Sequence, residues 1–206
     1  MAGSTKVALT SLRKLSISYA KSIIPSSVSR KEAYWAYLLF FKLKVGYFLP
    51  AISFTQTECN SIQAPALCGT LSKLHLNRNT ARAIIFGPPK YGGLNLPDLY
   101  ALRSAGQLTL LLRHIRAQDE VAKLIMIDIS TLQLLTGSVR PVFDLPFPSY
   151  AKWIEWGLLV SIRDFLHKSK LRLFLRSAFC LSIPCQHDVS SMEAFLKLTF
   201  KSGVMR

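Results

Sequence analysis

Three basic side chains, Arg78, Arg82 and Lys90, stand within the stretch NRNTARAIIFGPPKYGG, residues 77–93. Guanidinium and ammonium groups form strong, charge-assisted hydrogen bonds to phosphate oxygens. Such contacts hold a nucleic-acid backbone in register without reading its sequence. We therefore predict that the three residues form one phosphate-contacting patch. The alternative is a rigid turn between helices whose cations are only solvated, and the sequence leaves both interpretations open.

Further cations fall on the polar faces of two predicted helices. Arg113 and Arg116 lie away from an apolar stripe of leucine and isoleucine at helical spacing. Lys168, Arg172 and Arg176 recur at every fourth position, which predicts a basic ridge along one helix. Most charge stripes are solvated faces, and that alternative stays open beside the prediction of nucleic-acid contact.

The overall charge favours a polyanionic partner. The 206 residues include 26 Lys and Arg against 11 Asp and Glu, a formal net charge of +15. Charge of this sign attracts nucleic acid first and anionic membrane surfaces second. Half of the residues are hydrophobic, which is enough to build a core in a chain of this length.

The sequence lacks the residue patterns of the common catalytic centres. GPPKYGG is not a P-loop, because no Lys-Ser or Lys-Thr follows its glycines and two prolines lack the amides that would hold phosphate oxygens. The acids are scattered, and no GxGxxG, GxSxG or HExxH occurs. Spacings typical of zinc sites are absent among the cysteines and histidines. We therefore predict no catalytic residue, no metal site and no cofactor.

Local signals predict helices that would position these cations. Ser29 with Glu32, and Thr55 with Glu58, match the capping box, which predicts helices over about 29–48 and 55–74. Pro65 marks a kink or break in the second.

Downstream, the glycines and prolines around residues 83–96 predict a short hairpin or an ordered loop. Pro97 suits the first turn of a helix, with Asp98 at the positive end of its dipole. A further helix is expected to begin at Asp119 and to end at Gly137.

These elements predict a mainly α fold with a proline-rich linker. We expect a helical region over residues 1–137, a linker over 138–149, and a C-terminal helical segment over 150–206. No stretch reaches the length of a membrane span, since AYLLFFKLKVGYFLPAISF is interrupted by lysines, glycine and proline.

The first 31 residues contain no acid, which is the composition of a transit peptide. A basic amphipathic helix of the fold is the preferred interpretation, because Val7, Leu12, Leu15 and Tyr19 keep helical spacing.

The stretch LHLNRNTARAIIFGPPKYGGLNLPDLY, followed by GQLTLLLRHIRAQDE and LQLLTG, resembles the region after the palm in reverse transcriptases of non-LTR (LINE-like) retrotransposons. Upstream, SRKEAYWAY and YFLPAISFTQTEC are similar to the helical thumb-like segment of those proteins, and QHDVSSMEAFLK is similar to a later part. The likeness covers most of the chain. It departs at His75, where the family is expected to carry glycine, and at LRSAGQ, an altered version of a family segment.

This resemblance implies a helical thumb-like bundle that contacts RNA, DNA or RNA–DNA hybrid beside a primer and template. It places the catalytic fingers and palm before residue 1 and makes them a partner, so that no catalytic residue carries over. An intracellular location, nuclear or cytoplasmic, is implied. Without a palm to pack against, the apolar surface predicts aggregation or self-association. Two other interpretations stay open: a helical protein that contacts other proteins or anionic membranes, and a truncated or decayed reading frame without activity.

Overall fold

The computed structural model describes residues 2–137 and 142–173, with the side chains of residues 2–4, 149, 150 and 153 left out. Within those ranges the chain forms helices, turns and loops and no strand. The predicted mainly α fold is therefore confirmed.

The chain divides between Gln107 and Leu108 into two compact units, which we call unit 1 (Met1–Gln107) and unit 2 (Leu108–Arg206). The sequence predicts a proline-rich linker at 138–149. Val142, Phe143 and Phe147, which fall in that proline-rich segment, are buried in the core of unit 2.

Unit 1 begins with helices that follow one another closely along the chain. They are α1 (Ala2–Ile23), α2 (Arg30–Ala36), a π-helical segment (Tyr37–Lys42), α3 (Leu43–Gly46), a 3-10 turn (Leu49–Ala51) and α4 (Gln56–Lys73). A short helix α5 (Arg82–Phe86) and a 3-10 turn (Pro89–Tyr91) lead to α6 (Leu99–Ala117), which continues into unit 2. There α7 (Glu120–Thr136), α8 (Phe147–Tyr150), a 3-10 turn (Ala151–Trp153) and α9 (Leu158–Lys168) follow.

Both predicted capping boxes form. The amide of Ser29 donates to the Glu32 carboxylate at 2.7 Å, and the Glu32 amide donates back to the Ser29 hydroxyl at 3.4 Å. Thr55 and Glu58 repeat the exchange at 2.7 and 3.3 Å. These bonds satisfy amides that a helix leaves free in its first turn, so that α2 and α4 begin where the sequence predicts.

The first helix packs against the fourth through small residues. A Cβ added to Gly69 would stand 2.9 Å from Ile23 Cγ2 and 3.4 Å from the Ala20 Cα, so the two backbones approach closely. Pro65 lies inside α4. The amide of the next residue, Ala66, donates a hydrogen bond to the hydroxyl of Ser16 in α1 at 3.2 Å. Proline has no amide to donate within the helix, so the ladder of bonds in α4 lacks one donor at this point, and the next amide along the chain contacts α1.

The inner face of α1 differs in part from the predicted one. Leu12 is buried and Leu15 and Tyr19 are half-buried, as the spacing indicates, whereas Val7 is 71% exposed. Ala20 and Ile23 complete the buried face instead. The contact with α4 therefore lies toward the C-terminal part of α1.

The fourth helix ends in a left-handed residue that is not glycine. His75 has a φ of 59°, its amide donates to the Ser72 carbonyl at 3.2 Å, and the Leu76 amide donates to the Leu71 carbonyl at 2.9 Å. This pair of bonds is the Schellman motif, in which glycine is usual at the left-handed position. The position where glycine is expected from the family resemblance is thus one where backbone geometry favours glycine.

We expect the substitution His75→Gly to stabilise the protein. Glycine adopts a positive φ without the steric cost that a Cβ brings, so the free energy of unfolding should rise by about 1 kcal/mol. The midpoint of urea unfolding, followed by circular dichroism, measures this. Ala64→Gly, at an exposed position inside the same helix, is the matched control and should lower stability by about 1 kcal/mol. A lower midpoint for His75→Gly would contradict the explanation.

The glycine- and proline-rich segment forms an ordered loop rather than a hairpin. Ala83–Phe86, one of its two apolar runs, belongs to the short helix α5. The returning chain then bonds to that helix: Leu94 donates to the Ile84 carbonyl at 2.8 Å and Leu96 to the Ile85 carbonyl at 3.1 Å. Of the two predicted alternatives, the loop is the one that forms.

In unit 2, α7 begins and ends at the predicted residues. Asp119 accepts a bond from the Ala122 amide at 2.9 Å, and Gly137 closes the helix at a φ of 61°. Beside α7, the core of unit 2 is formed by buried apolar residues of α6, of the segment from 142 onward and of α9, including Leu111, Phe143 and Ile162.

Candidate nucleic-acid interface

Arg78, Arg82 and Lys90 all lie exposed in unit 1, on the chain between α4 and α6. Arg78 occupies a tight turn in which the Thr80 amide donates to the Asn77 carbonyl at 2.9 Å and the Asn79 amide to the Asn77 side chain at 2.8 Å. An asparagine side chain that bonds to the backbone two residues on is a common way to fix a turn.

The other two cations lie near aromatic rings. The guanidinium carbon of Arg82 is 6.0 Å from the centroid of the Phe86 ring, and the Lys90 ammonium is 5.7 Å from that of Tyr91. Tyr91 is exposed. Cations beside exposed rings offer both phosphate contacts and stacking surfaces to a nucleic-acid strand.

Glycines hold the loop that carries Lys90. A Cβ at Gly87 would stand 2.1 Å from the Ala83 carbonyl oxygen, and a Cβ at Gly93 would stand 2.1 Å from the Gly87 carbonyl oxygen. Gly92 has a φ of 78°, which glycine adopts most readily. The loop can therefore approach its own backbone more closely than side chains would allow.

Every acid of unit 1 is engaged at the start of a helix. Glu32, Glu58 and Asp98 are the only acids among residues 1–107. The first two belong to the capping boxes, and Asp98 accepts a bond from the Tyr100 amide at 3.2 Å at the start of α6. The bonds from Ser29 hold the pKa of Glu32 below its usual value. Arg78, Arg82 and Lys90 accordingly form no ion pair with a carboxylate of the described chain.

Asp98 also corrects the predicted start of α6. Pro97 does not stand in the first turn; the helix begins at Leu99, and Asp98 precedes it as the capping residue. The main-chain carbonyl of Asp98 accepts from the Leu102 amide at 2.9 Å.

A second cationic surface of unit 1 was not among the predicted site residues. Lys6, Arg13, Lys14 and Lys21 are exposed on α1. They recur as two pairs seven residues apart, and seven residues make about two turns of a helix, so all four share one face. That period is visible in the sequence and could have identified the stripe.

Arg113 and Arg116 are exposed on the part of α6 that lies in unit 2. Leu111 and Ile115 are buried on the other side, so the predicted separation of faces is confirmed. Between them His114 Nδ1 lies 2.7 Å from a carboxylate oxygen of Asp119. This contact and the bond from Ala122 hold the pKa of Asp119 below its usual value.

The predicted ridge of Lys168, Arg172 and Arg176 is wrong as a helical face. α9 ends at Lys168, and Lys170 takes a φ of 55°. The Leu171 amide donates to the Leu166 carbonyl at 2.9 Å, which closes the helix in a second Schellman motif. Lys168 bonds to Asp164 at 2.8 Å, and Arg172 is exposed in the chain beyond the helix. Arg176 lies outside the described residues.

Two buried polar side chains, Gln63 and Arg103, join the helices on either side of the loop that carries Lys90 to other parts of unit 1. Neither was predicted from the sequence. Gln63 donates to the Tyr37 hydroxyl at 2.8 Å and to the Pro97 carbonyl at 2.7 Å, and it accepts from the Leu99 amide at 3.2 Å. Arg103, 0% exposed, donates to the Phe54 carbonyl and lies 4.9 Å from the Tyr100 ring centroid. Tyr37, Pro97 and the Phe54 carbonyl are distant in sequence from the side chains that they bond to, so no local signal marks these bonds.

The same interior keeps two weak acids neutral. Burial raises the pKa of Tyr37 far above its usual value. Burial also raises the pKa of the Cys59 thiol to about 12, although Arg103 opposes the shift. A thiol with so high a pKa is a poor nucleophile, because the thiolate is the reactive form. Cys59 is therefore a packing residue.

The outer side of the helical stretch 30–48 is apolar and exposed. Tyr47 is 80% exposed, and the other large apolar residues there are Trp35, Leu39, Phe40, Leu43 and Phe48. Lys31 and Lys44 are exposed beside them. A patch of this kind marks a surface that contacts a protein or a membrane.

None of the described helices combines the length and hydropathy that a bilayer span requires. Within residues 2–137 and 142–173 no group of three or more histidine, cysteine or acidic side chains could hold a metal ion. Comparison of the chain with protein-family models, with curated proteins and with solved structures found no match.

Proposed function

We propose that this chain binds the phosphate backbone of nucleic acid, and that it is a non-catalytic, thumb-like part of a LINE-like reverse transcriptase. The resemblance of residues 74–100 to the post-palm region supports the family. The exposed cations of unit 1 support the partner, which we take to be RNA, DNA or their hybrid.

One observation carries the proposal: the acids of unit 1 are engaged at helix starts, while the cations between α4 and α6 and those along α1 face solvent. Glu32, Glu58 and Asp98 each bond to a backbone amide. Arg78, Arg82 and Lys90 on the loop, and the stripe on α1, are exposed. A surface on which cations are not neutralised by neighbouring carboxylates attracts polyanions and gains affinity from the release of their counterions.

The test is a salt titration of affinity for an RNA–DNA hybrid. Removing one phosphate contact should reduce the magnitude of the slope of log affinity against log salt by about 0.7 to 0.9. We expect this for Arg78→Ala and for Arg172→Ala, with affinity falling alike for hybrids of every sequence. Arg78→Lys keeps the charge and should keep the slope.

Thr131→Ala, an exposed and uncharged position in unit 2, is the control for substitution itself. Each variant is first shown by circular dichroism to be folded. The proposal fails if wild type does not bind the hybrid at moderate salt, or if all the variants show the same slope.

A second candidate is contact with an anionic membrane or with another protein through the exposed apolar side of residues 30–48. Trp and Tyr favour the boundary between lipid and water, and lysines beside them favour anionic headgroups. Vesicles of phosphatidylcholine with and without phosphatidylserine distinguish this candidate. Binding to the anionic vesicles with none to hybrid would replace the first proposal with the second.

A further inference from the structure

Unit 1 contains a cleft of about 340 Å³ beside α5, the short helix that begins at Arg82. Its walls come from the exposed side of α4, from α5 and from the residue before α6, and the side chains on which the inference depends are Gln56, Asn60, Gln63, Arg82, Phe86 and Asp98. Ligand pockets in proteins have volumes of roughly 300–1,000 Å³. The cleft is at the small end of that range, which suits one nucleotide rather than a duplex.

One wall offers a surface for stacking. The half-buried ring of Phe86 and the guanidinium of Arg82 lie side by side, with 6.0 Å from the guanidinium carbon to the ring centroid. Proteins that bind single-stranded RNA splay bases out of the strand and stack them on aromatic rings or guanidinium planes.

The floor of the cleft is fixed before any ligand binds. The Gln63 amide bonds to Tyr37, to the Pro97 carbonyl and to the Leu99 amide, at 2.7 to 3.2 Å. Its orientation is therefore set by the fold. A preformed floor lowers the entropic cost of binding.

The other polar side chains of the cleft include a hydrogen-bond acceptor, Asp98, and a donor, Arg82, that are not bonded to each other. Asp98 Oδ1 accepts from the Tyr100 amide, and Oδ2 makes no hydrogen bond to a described residue. Arg82 also lines the cleft, yet the two side chains form no ion pair with each other in the described chain. Asn60 and Gln56, four residues apart and exposed on α4, add amide groups. A ligand that both donates and accepts hydrogen bonds would satisfy this set.

Guanine has the matching edges. Its N1–H and N2 amino groups donate, as an acceptor such as the Asp98 carboxylate requires, and its O6 and N7 accept, which is the pattern that arginine binds. Uracil and cytosine offer smaller faces, and adenine lacks the paired donors. We infer that the cleft binds a single unstacked guanine base, with Phe86 as the stacking surface and Asp98 and Arg82 as the polar contacts.

This inference rests on the proposed nucleic-acid binding, and the experiment separates the two. Fluorescence anisotropy measures the affinity of labelled heptauridylate and of three heptamers that carry guanine, adenine or cytosine at the centre. The guanine heptamer should bind about fivefold tighter than the others, or more, as one correctly recognised base allows. In a further arm, guanosine monophosphate is titrated directly into the protein and its binding is followed by isothermal titration calorimetry, which distinguishes a free nucleotide from a base within a strand.

Two variants test the residues. Asp98→Asn keeps the cap of α6, because asparagine caps helices as well as aspartate. It should abolish the preference for guanine, and the affinity for heptauridylate should stay the same or rise slightly, because one negative charge is lost beside Arg82. Phe86→Leu should weaken binding of the guanine heptamer. Thr131→Ala serves again as the control and should bind all four heptamers as wild type does.

Each outcome decides something. Equal affinity for the four heptamers overturns the guanine cleft and leaves the backbone-binding proposal standing. Binding of guanosine monophosphate in the calorimetric titration without binding of any heptamer overturns the backbone proposal and supports the cleft for free nucleotide. If neither heptamers nor guanosine monophosphate bind, both proposals fail.

Discussion

Arg103→Ala should lower the free energy of unfolding by about 3 to 8 kcal/mol. The side chain is fully buried, and its guanidinium donates to the Phe54 carbonyl and to the Ser104 hydroxyl. Truncation removes the methylene stem and leaves a cavity, which by itself costs about 2 to 5 kcal/mol for a large side chain. It also leaves a buried carbonyl without its donor, at a cost of about 1 to 3 kcal/mol. Urea unfolding followed by circular dichroism measures the loss.

Two further substitutions separate the causes. Arg103→Met keeps the volume of the stem and loses only the hydrogen bonds, so it should retain part of the stability. Arg13→Ala removes an exposed arginine from α1 and should change stability by less than about 0.5 kcal/mol. If Arg103→Ala were as stable as Arg13→Ala, the Arg103 side chain would not stabilise the contact between α6 and the chain at Phe54.

Gly93→Ala should disrupt the loop that carries Lys90. The new Cβ would stand 2.1 Å from the Gly87 carbonyl oxygen and 2.3 Å from its carbon. Both atoms belong to the backbone, so no side-chain rotation relieves the clash, and the loop must move. We expect a loss of about 2 to 4 kcal/mol, in the range of the more severe single substitutions. Affinity for RNA–DNA hybrid should fall as well, because the cations on the loop lose their fixed positions.

The neighbouring Gly92 provides the control. A Cβ there meets nothing within 4 Å, and the only demand is the φ of 78°. Asparagine tolerates that conformation, so Gly92→Asn should leave both stability and affinity nearly unchanged. Equal losses in the two variants would show that backbone conformation, rather than the contact with Gly87, decides the behaviour of this loop.

Local signals allowed the helix starts and one helix end to be predicted. The capping boxes at Ser29 and Thr55, the cap at Asp119 and the glycine at position 137 act within one turn of chain, and all four are present in the structure. The end of α9 could not be predicted in this way. Lys170 takes the left-handed conformation that ends the helix, but only a glycine there would have indicated it in the sequence. The spacing of four residues between Lys168 and Arg172 therefore runs past the end of the helix at Lys168.

The interior of unit 1 could not be predicted from neighbours in sequence. Glutamine and arginine are residue types that usually lie at the surface. The partners of Gln63 and Arg103, which are Tyr37, Pro97 and Phe54, lie 26 to 49 positions away in the sequence. These groups meet only because the fold brings α4 beside Tyr37 and Pro97, and α6 beside Phe54. The candidate site divides likewise: the exposure of Arg78, Arg82 and Lys90 followed from composition, whereas the cleft beside them depends on contacts that only the fold reveals.

The π-helical segment at Tyr37–Lys42 has a consequence for variation in chain length. Tyr37, Phe41 and Val45 are all buried at intervals of four. In an α-helix each such interval turns about 40° past a full circle, so Val45 would stand about 80° from Tyr37. A π-helix has more residues per turn than an α-helix, so each residue rotates the chain by a smaller angle. The segment therefore keeps Tyr37, Phe41 and Val45 on one side. Deleting one residue within the segment would restore ordinary α-helical winding and leave the following helix in phase. Deletion of one residue at this place is thus expected to be tolerated, where the same deletion elsewhere in the helix would turn its buried side toward water.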